Sequence, residues 1–467
     1  MLKITLFRLF LGFAGVLLAL QAYSQQPVLS LKEAVRIGLE NYPSIKAKAN
    51  QLNASKSYLN ETKTEYLPNL NFSAQQDYGT AISQFGPSYG FNGLSVSSAG
   101  PTAAKQNWNA AFGALYLTNV NWDFFAFGRA VEKVKVQRSV VNRDTADYSQ
   151  EAFQHEVRVA AAYLNLVAAQ RLTKVQQDNL TRTMDLRKVV VTRVKNGLNP
   201  GVDSSLANAE VSSAIIALTN AQENEQERAN DLSRCMGINP QNFVLDSTFV
   251  SKIPNNPDPA TNLQPDQHPI LKYYNSLVNV SDEQARYLKT LAYPTFTLFS
   301  VFQGRGSGFK NDLAANPLDY TNSYGTGISP SRYNYLVGVG VTWNFTSLFR
   351  IHYQVKSQKY TSLTYRDNYD LVSQQLHDQQ VLAETRIANS IKNSQEAPVE
   401  IKAATDAFNQ KSTLYRNGLA NITDFTQALY ALYRAETDSY VANNNVWQAL
   451  LFKAAATGDF RIFINNF

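Results

Sequence analysis

Residues 333–344 read Tyr-Asn-Tyr-Leu-Val-Gly-Val-Gly-Val-Thr-Trp-Asn. Tyr333, Tyr335, Val337, Val339, Val341 and Trp343 are bulky and apolar. Between them, Asn334, Gly338, Gly340, Thr342 and Asn344 are small or polar, with Leu336 the exception. Successive side chains of an extended strand point to opposite faces, so this period of two suits one face to lipid and the other to water. Residues 120–124, Val-Asn-Trp-Asp-Phe, are echoed by Val341-Thr342-Trp343-Asn344-Phe345. Upstream, Ala110, Phe112, Ala114 and Tyr116 continue the alternation; Thr118 interrupts it, and Leu115 and Leu117 blur the other face. Leu70 and Phe72 alternate with Asn69, Asn71 and Ser73, and Phe296 and Leu298 with Thr295 and Thr297. The aromatics Trp122, Trp343, Tyr333 and Tyr335 suit a membrane–water interface. Taken alone, the strands also fit one face of a soluble β-sandwich.

The echo lies 221 positions downstream, and the same offset carries Arg129 onto Arg350, Asn196-Gly197-Leu198 onto Asn417-Gly418-Leu419, Asp203 onto Asp424 and Gly237 onto Gly458. Pro43 and Pro68 are 25 residues apart, as are Pro269 and Pro294. The chain therefore reads as two repeats, 27–245 and 267–467, joined by a Pro-rich linker at 246–266. Each repeat predicts a helix (Leu29 to Glu65, or Pro269 to Leu291) and a hairpin, at about 69–124 and about 294–345. A very long helix follows at 129–195 or 350–416, then an Asn-Gly-Leu turn, then a last helix at 203–236 or 424–457. Asp203 and Asp424 are expected as N-caps, and Gly237 and Gly458 as C-caps. Pro398 predicts a kink or break. Val157, Ala160, Ala161, Leu164, Val167 and Ala168 form a stripe at three- and four-residue spacing in an otherwise polar helix, the pattern of a solvated coiled coil. At 1.5 Å per residue, 129–195 would reach about 100 Å and needs packing partners along its length.

Composition narrows the alternatives. The chain has 467 residues, with Lys plus Arg 43 against Asp plus Glu 37, a net charge of +6. That excess is too small and scattered for a nucleic-acid binder. One cysteine, Cys235, excludes an internal disulfide framework and any multi-Cys metal site. The four histidines, His155, His268, His352 and His377, are far apart. No nucleophile set, metal cluster or cofactor motif can be argued from spacing, so the chain does not read as an enzyme. Gly304-Arg305-Gly306-Ser307-Gly308 lacks the βαβ context of a nucleotide loop and reads as an exposed loop, with Gly86 to Pro101 as its partner in the first repeat. Lys3 and Arg8, the apolar run Leu9 to Leu20 and the small residues of Ala22-Tyr23-Ser24 form an export signal over 1–24. No Cys follows that run, so a lipoprotein anchor is not supported. A mean hydropathy of −0.29 excludes a polytopic helical membrane protein. Any membrane crossing by the mature chain must then be a β-barrel. Four strands cannot close one, so several copies would share it: two would give eight strands, three would give twelve.

Signal, duplication, hairpins, very long helices and Asn-Gly-Leu turns together resemble the TolC-type outer-membrane efflux channels over nearly the whole mature chain. The resemblance implies an α+β membrane protein, a homotrimer whose chains each give four transmembrane strands to a shared 12-stranded β-barrel, continued by a periplasmic α-helical barrel. It implies a passive exit duct in the outer membrane of a Gram-negative bacterium, without cofactor. Outer-membrane lipid, a periplasmic adaptor (membrane fusion) protein and an inner-membrane pump of RND or ABC type would be its partners, and the pump would select the cargo. The family's gate lies at the helix turns, where Tyr-x-x-Gly is followed six residues later by Asp; Tyr415, Gly418 and Asp424 match. In the other turn Gly197, Leu198 and Asp203 match, and the implied closing contact joins Tyr415 to Asp203. Leu419 completes the second turn. The sequence departs from the family prototype at Gln427, Ala420 and Val202, where the prototype has Asp, Arg and Thr. A periplasmic adaptor or coiled-coil scaffold is the alternative reading, and a secreted enzyme on a helical bundle a more distant one. An adaptor needs only one helical hairpin and no amphipathic strands.

Overall fold

The computed structural model describes residues 28–80, 88–91, 94–97, 105–252, 254 and 267–466. The expected signal at 1–24, residues 253 and 255–266 of the linker, and parts of the Gly86 to Pro101 stretch lie outside these. The chain divides into two units. One comprises Met1–Leu52, Asp144–Asn275 and Arg366–Phe467; the other comprises Asn53–Arg143 and Ser276–Tyr365. Two very long helices belong partly to each: α3 (Arg129–Lys195) and α7 (Ser347–Arg416). α7 runs unbroken through Pro398, so the one backbone donor that proline lacks does not end the helix.

The second unit is built on a sheet of β1 (Asn69–Thr80), β4 (Ala110–Phe125), β5 (Thr295–Ser307) and β6 (Arg332–Thr342). Their order is β1-β4-β5-β6 and every neighbouring pair is antiparallel. β6 therefore runs opposite to β1, and among the described residues both outer edges lack a strand partner. A short hairpin, β2 (Ser88–Phe91) with β3 (Leu94–Ser97), occupies part of the segment that reads as a loop in the sequence. α2 (Pro43–Thr64) precedes β1, and α5 (Pro269–Thr290) precedes β5.

Register separates the two faces. Leu70 opposes Val120, Leu298 opposes Val339 and Phe302 opposes Tyr335, which makes one face apolar. Asn69 opposes Asn121, Asn71 opposes Asn119 and Gln303 opposes Asn334, which makes the other largely polar, although Val301 opposes Leu336 on it. Phe299, on the polar face, lies over Gly338, where any larger residue would collide with its ring. The Gly304–Ser307 stretch is not a loop: it continues β5, paired with Tyr116 to Gly113 of β4. Its glycines answer to close packing. A Cβ on Gly306 would meet the carbonyl oxygens of Gly327 and Ser329 at 2.6 and 2.7 Å. Those carbonyls belong to and follow α6 (Tyr324–Ile328), a single turn with no periodic signal in the sequence.

The first unit has a core of its own. α1 (Leu31–Asn41) stops at Tyr42, which is extended at φ −66°, ψ 125°. The helix expected over Leu29 to Glu65 is thus two helices, because a residue before proline is driven out of the α region. Leu31, Ala34 and Val35 of α1 pack with Val159, Tyr163, Leu164 and Leu166 of α3. Leu232 and Met236 of α4 (Gly201–Met236) join them, with Trp447 and Leu450 of α8 (Ile422–Thr457). Phe463, on the short α9 (Arg461–Ile464), closes the cluster against Trp447. The Tyr163 hydroxyl lies 2.8 and 2.9 Å from the carbonyls of Leu29 and Asp246, so this core is pinned as well as packed. Arg182 of α3 makes a two-pronged ion pair with Glu436 of α8, at 2.8 and 2.6 Å.

Candidate functional site

Within the first unit, two helix turns with matching geometry come together. α3 ends in a Schellman motif: Leu198 N–H donates to the Arg193 carbonyl at 2.9 Å and Gly197 N–H to Val194 at 3.0 Å. α7 ends the same way, Leu419 donating to Leu414 at 2.9 Å and Gly418 to Tyr415 at 3.0 Å. Gly197 and Gly418 take left-handed φ values of 72° and 78°, which Cβ-bearing residues enter only at a cost. Leu198 and Leu419 point outward, 65% and 73% exposed.

The helices that follow begin earlier than expected. α4 is capped by Pro200 without a side-chain bond, and α8 by Asn421, whose side chain accepts from the Asp424 N–H at 2.8 Å. Asp203 and Asp424 are therefore not N-caps. Each sits in the first turn, where a carboxylate still meets the positive helix end. The two acids differ in company. Asp424 accepts from Lys411 at 3.1 Å, whereas Asp203 accepts from the Asn199 amide at 2.8 Å. Gln427 is exposed one turn further on.

Tyr415 is buried in a tip cluster with Leu186, Val190, Ala207, Ile422, Phe425 and Leu429. Its ring stacks on Phe425 with centroids 5.5 Å apart. Burial, then the nearby charge of Asp203, holds its hydroxyl above the ordinary tyrosine pKa, and Arg193 acts in the opposite direction. Tyr415 and Asp203 are thus neighbours, but no hydrogen bond joins them within the chain: the hydroxyl has no partner among the described residues.

The bond that does join the two turns comes from Arg193, which the sequence reading missed. Its Nε donates to the Asn199 side chain at 2.8 Å, one of its terminal nitrogens donates to the Arg416 carbonyl at 2.9 Å, and its guanidinium lies 5.6 Å from the Tyr415 ring centroid. A Cβ on Gly418 would lie 3.1 Å from the same guanidinium, so the glycine also makes room for it. Position 414, the counterpart of Arg193 at the repeat offset, is Leu, so repeat symmetry gave no signal for it.

In the second unit the expected interface aromatics divide into two kinds. Trp122 donates from its indole to the Tyr66 carbonyl at 2.8 Å, and Trp343 to the Ala292 carbonyl at 3.1 Å. Each ties a strand end to the connection that follows the preceding helix. Tyr333 and Tyr335 lie on the apolar face, 63% and 83% exposed, and the Tyr333 ring stacks on Phe302 with centroids 6.1 Å apart. Among the described residues no cluster of His, Cys, Asp and Glu could hold a metal ion, and no helix is long and apolar enough to cross a membrane.

Comparison with known proteins agrees with this architecture. The outer membrane efflux protein family matches residues 35–238. No curated protein sequence matches the chain. Among solved structures, the outer membrane protein VceC of Vibrio cholerae superposes with a TM-score of 0.71 at 15% identity, covering 92% of this chain and 96% of its own. CusC, described for its transmembrane channel formation, gives 0.73 at 12% identity over 93% of each chain. The MtrE outer membrane channel of Neisseria gonorrhoeae gives 0.69 at 14% identity, over 92% of this chain and 89% of its own. Residues 35–238 thus resemble the outer membrane efflux protein family, and the chain as a whole shares the fold of these outer-membrane channel structures.

Proposed function

We propose that the protein is the outer-membrane exit duct of a tripartite efflux or secretion system in a Gram-negative bacterium. Copies of the chain share one β-barrel in the outer membrane and continue as helices into the periplasm. The observation that carries this reading is the sheet. It has one apolar face, one largely polar face and, among the described residues, two unpaired edges, and open edges are not tolerated in lipid. Because β1 and β6 run in opposite directions, β6 of one copy can pair antiparallel with β1 of the next. Three copies would give twelve strands, the number that the family resemblance favours. The two sequence repeats, 27–245 and 267–467, would then double the number of equivalent positions around the duct.

The helix turns would form the gated periplasmic mouth. Arg193 would hold the two turns of one chain together, with Tyr415 beneath it. Asp203 and Asp424 would add negative charge, and Lys411 would offset part of it. An inner-membrane pump and a periplasmic adaptor would supply the work and open the mouth. Single-channel recording of the purified mature protein in planar bilayers tests this. We expect a detergent-stable oligomer with low, cation-favouring conductance, and a raised open fraction in Arg193→Ala. A well-folded monomer in detergent-free buffer overturns the reading.

A further inference from the structure

The register of the sheet sets two arginines directly opposite each other. Arg305 on β5 and Arg332 on β6 are cross-strand partners, so both side chains rise from the polar face that carries Gln303, Asn334 and Asn119. Both are exposed, and among the described residues neither forms an ion pair. The nearest acid on that face is Asp77 of β1, which lies two strands away beyond Gly113 and accepts from the Gln75 amide at 2.8 Å. Between β5 and β6, Lys310 and Asp319 pair with each other at 3.4 Å and Asp312 is exposed. The connection between β1 and β4, residues 81–109, contains Lys105 and no acid.

Like charges directly opposite one another on adjacent strands destabilise a sheet. The cost is relieved when an anion sits between them. Two guanidinium forks on neighbouring strands can each offer parallel N–H donors to the oxygens of one oxyanion. We infer that Arg305 and Arg332 form a clamp for an oxyanion of phosphate chemistry. This rests on the duct reading, in which the polar face lines the lumen. The pair lies at the strand ends away from those that lead into α3 and α7, and so at the outer opening. Each copy would contribute one clamp to a ring there. Soluble polyphosphates and the phosphates of a surface glycolipid share this chemistry; placement on the polar face assigns the soluble class.

Calorimetric titration of the detergent-solubilised assembly with inorganic pyrophosphate tests the clamp. Saturable binding at one anion per chain is expected. Arg305→Gln and Arg332→Gln should each weaken it by about tenfold or more, as loss of a charged hydrogen-bond donor does, and the double variant should abolish it. Arg332→Lys, which keeps the charge but not the fork, should fall between. An intact oligomer that binds no pyrophosphate, or a double variant that binds it as well as the parent, overturns the clamp and leaves the duct standing. Arginine-dependent binding to lipopolysaccharide nanodiscs, without pyrophosphate binding, overturns the lumen placement. A monomer that binds neither overturns the duct and the clamp together.

Discussion

The two units of this chain bury their apolar surface in opposite ways. In the helical unit Trp447, Tyr163 and Leu450 are at most 1% exposed, and their contacts come from α1, α3, α4, α8 and the C-terminal turn of the same chain. In the sheet unit the largest apolar side chains face outward: Tyr335 is 83% exposed, Phe72 71% and Val339 61%. The first unit completes its core within one chain. The second carries an exposed apolar face and, among the described residues, two open edges, so in the proposed barrel its stability would depend on lipid and on further copies. Isolated soluble domains rarely show so large a contiguous apolar patch, and this exposure supports the proposed barrel.

The comparison can be broken in several ways. Trp447→Ala removes a large side chain from the closed core and should cost about 3–5 kcal/mol, read as a lower midpoint of thermal unfolding by circular dichroism. Tyr335→Ala, on the open face, should leave that midpoint nearly unchanged in detergent. Equal losses would dissolve the distinction. Val339→Arg places a cation on the apolar face and should cost about 2–4 kcal/mol if that face meets the bilayer midplane. The check is the fraction folded in lipid vesicles, by gel mobility with and without heating. No loss there would mean that the faces are reversed, since a one-residue slip exchanges them.

A finer test uses two neighbouring glycines of β6. Gly338→Ser must displace the Phe299 ring and should cost about 1–3 kcal/mol. Gly340→Ser finds its nearest obstacle, Phe299 again, at 3.8 Å and should fall within about 0.5 kcal/mol of the parent. Denaturant titration of the assembled protein separates the two.

The smallest effect is a pH dependence confined to the helical unit. Burial raises the Glu156 carboxyl to a pKa of about 7. The folded state therefore holds a proton that the unfolded state releases near the ordinary glutamate value, and this contribution to stability fades as pH rises from about 4.5 to 7. Glu156→Gln should raise the melting midpoint at pH 8 by about 2–4 °C and leave it unchanged at pH 4. A rise of the same size at both pH values would mean that ionisation is not the cause.

What was legible in the sequence follows from how local the determining physics is. Strand alternation at 333–344, the turn glycines at 197 and 418 and the extended residue before Pro43 are each fixed by backbone sterics or by which face a side chain occupies. The first two were read directly. The third is hidden in the sequence by helical patterning that continues on both sides of Pro43, although a residue before proline is driven out of the helix. Gly304 to Gly308 were misread because glycine signals both flexible loops and close packing, and only the fold brings α6 across β5. The role of Arg193 was not legible at all: its partner, the Arg416 carbonyl, is 223 residues away and is a backbone group with no residue signature. Lys411 reaches Asp424 across the turn at a spacing of 13, outside the helical i+3 and i+4 rules.

The opposed directions of β1 and β6 carry a consequence for how the proposed shared barrel could change size. A ring of alternating strands closes without a mismatched seam only when each subunit adds an even number. A chain that gained or lost a single strand would leave parallel neighbours at every subunit boundary, whereas gain or loss of a whole hairpin preserves closure. In the proposed shared barrel, pore width would therefore be quantised: it could vary in steps of two strands multiplied by the number of copies, and not in smaller increments. Duplication of a hairpin-bearing unit, rather than elongation by single strands, is the route that this arithmetic leaves open.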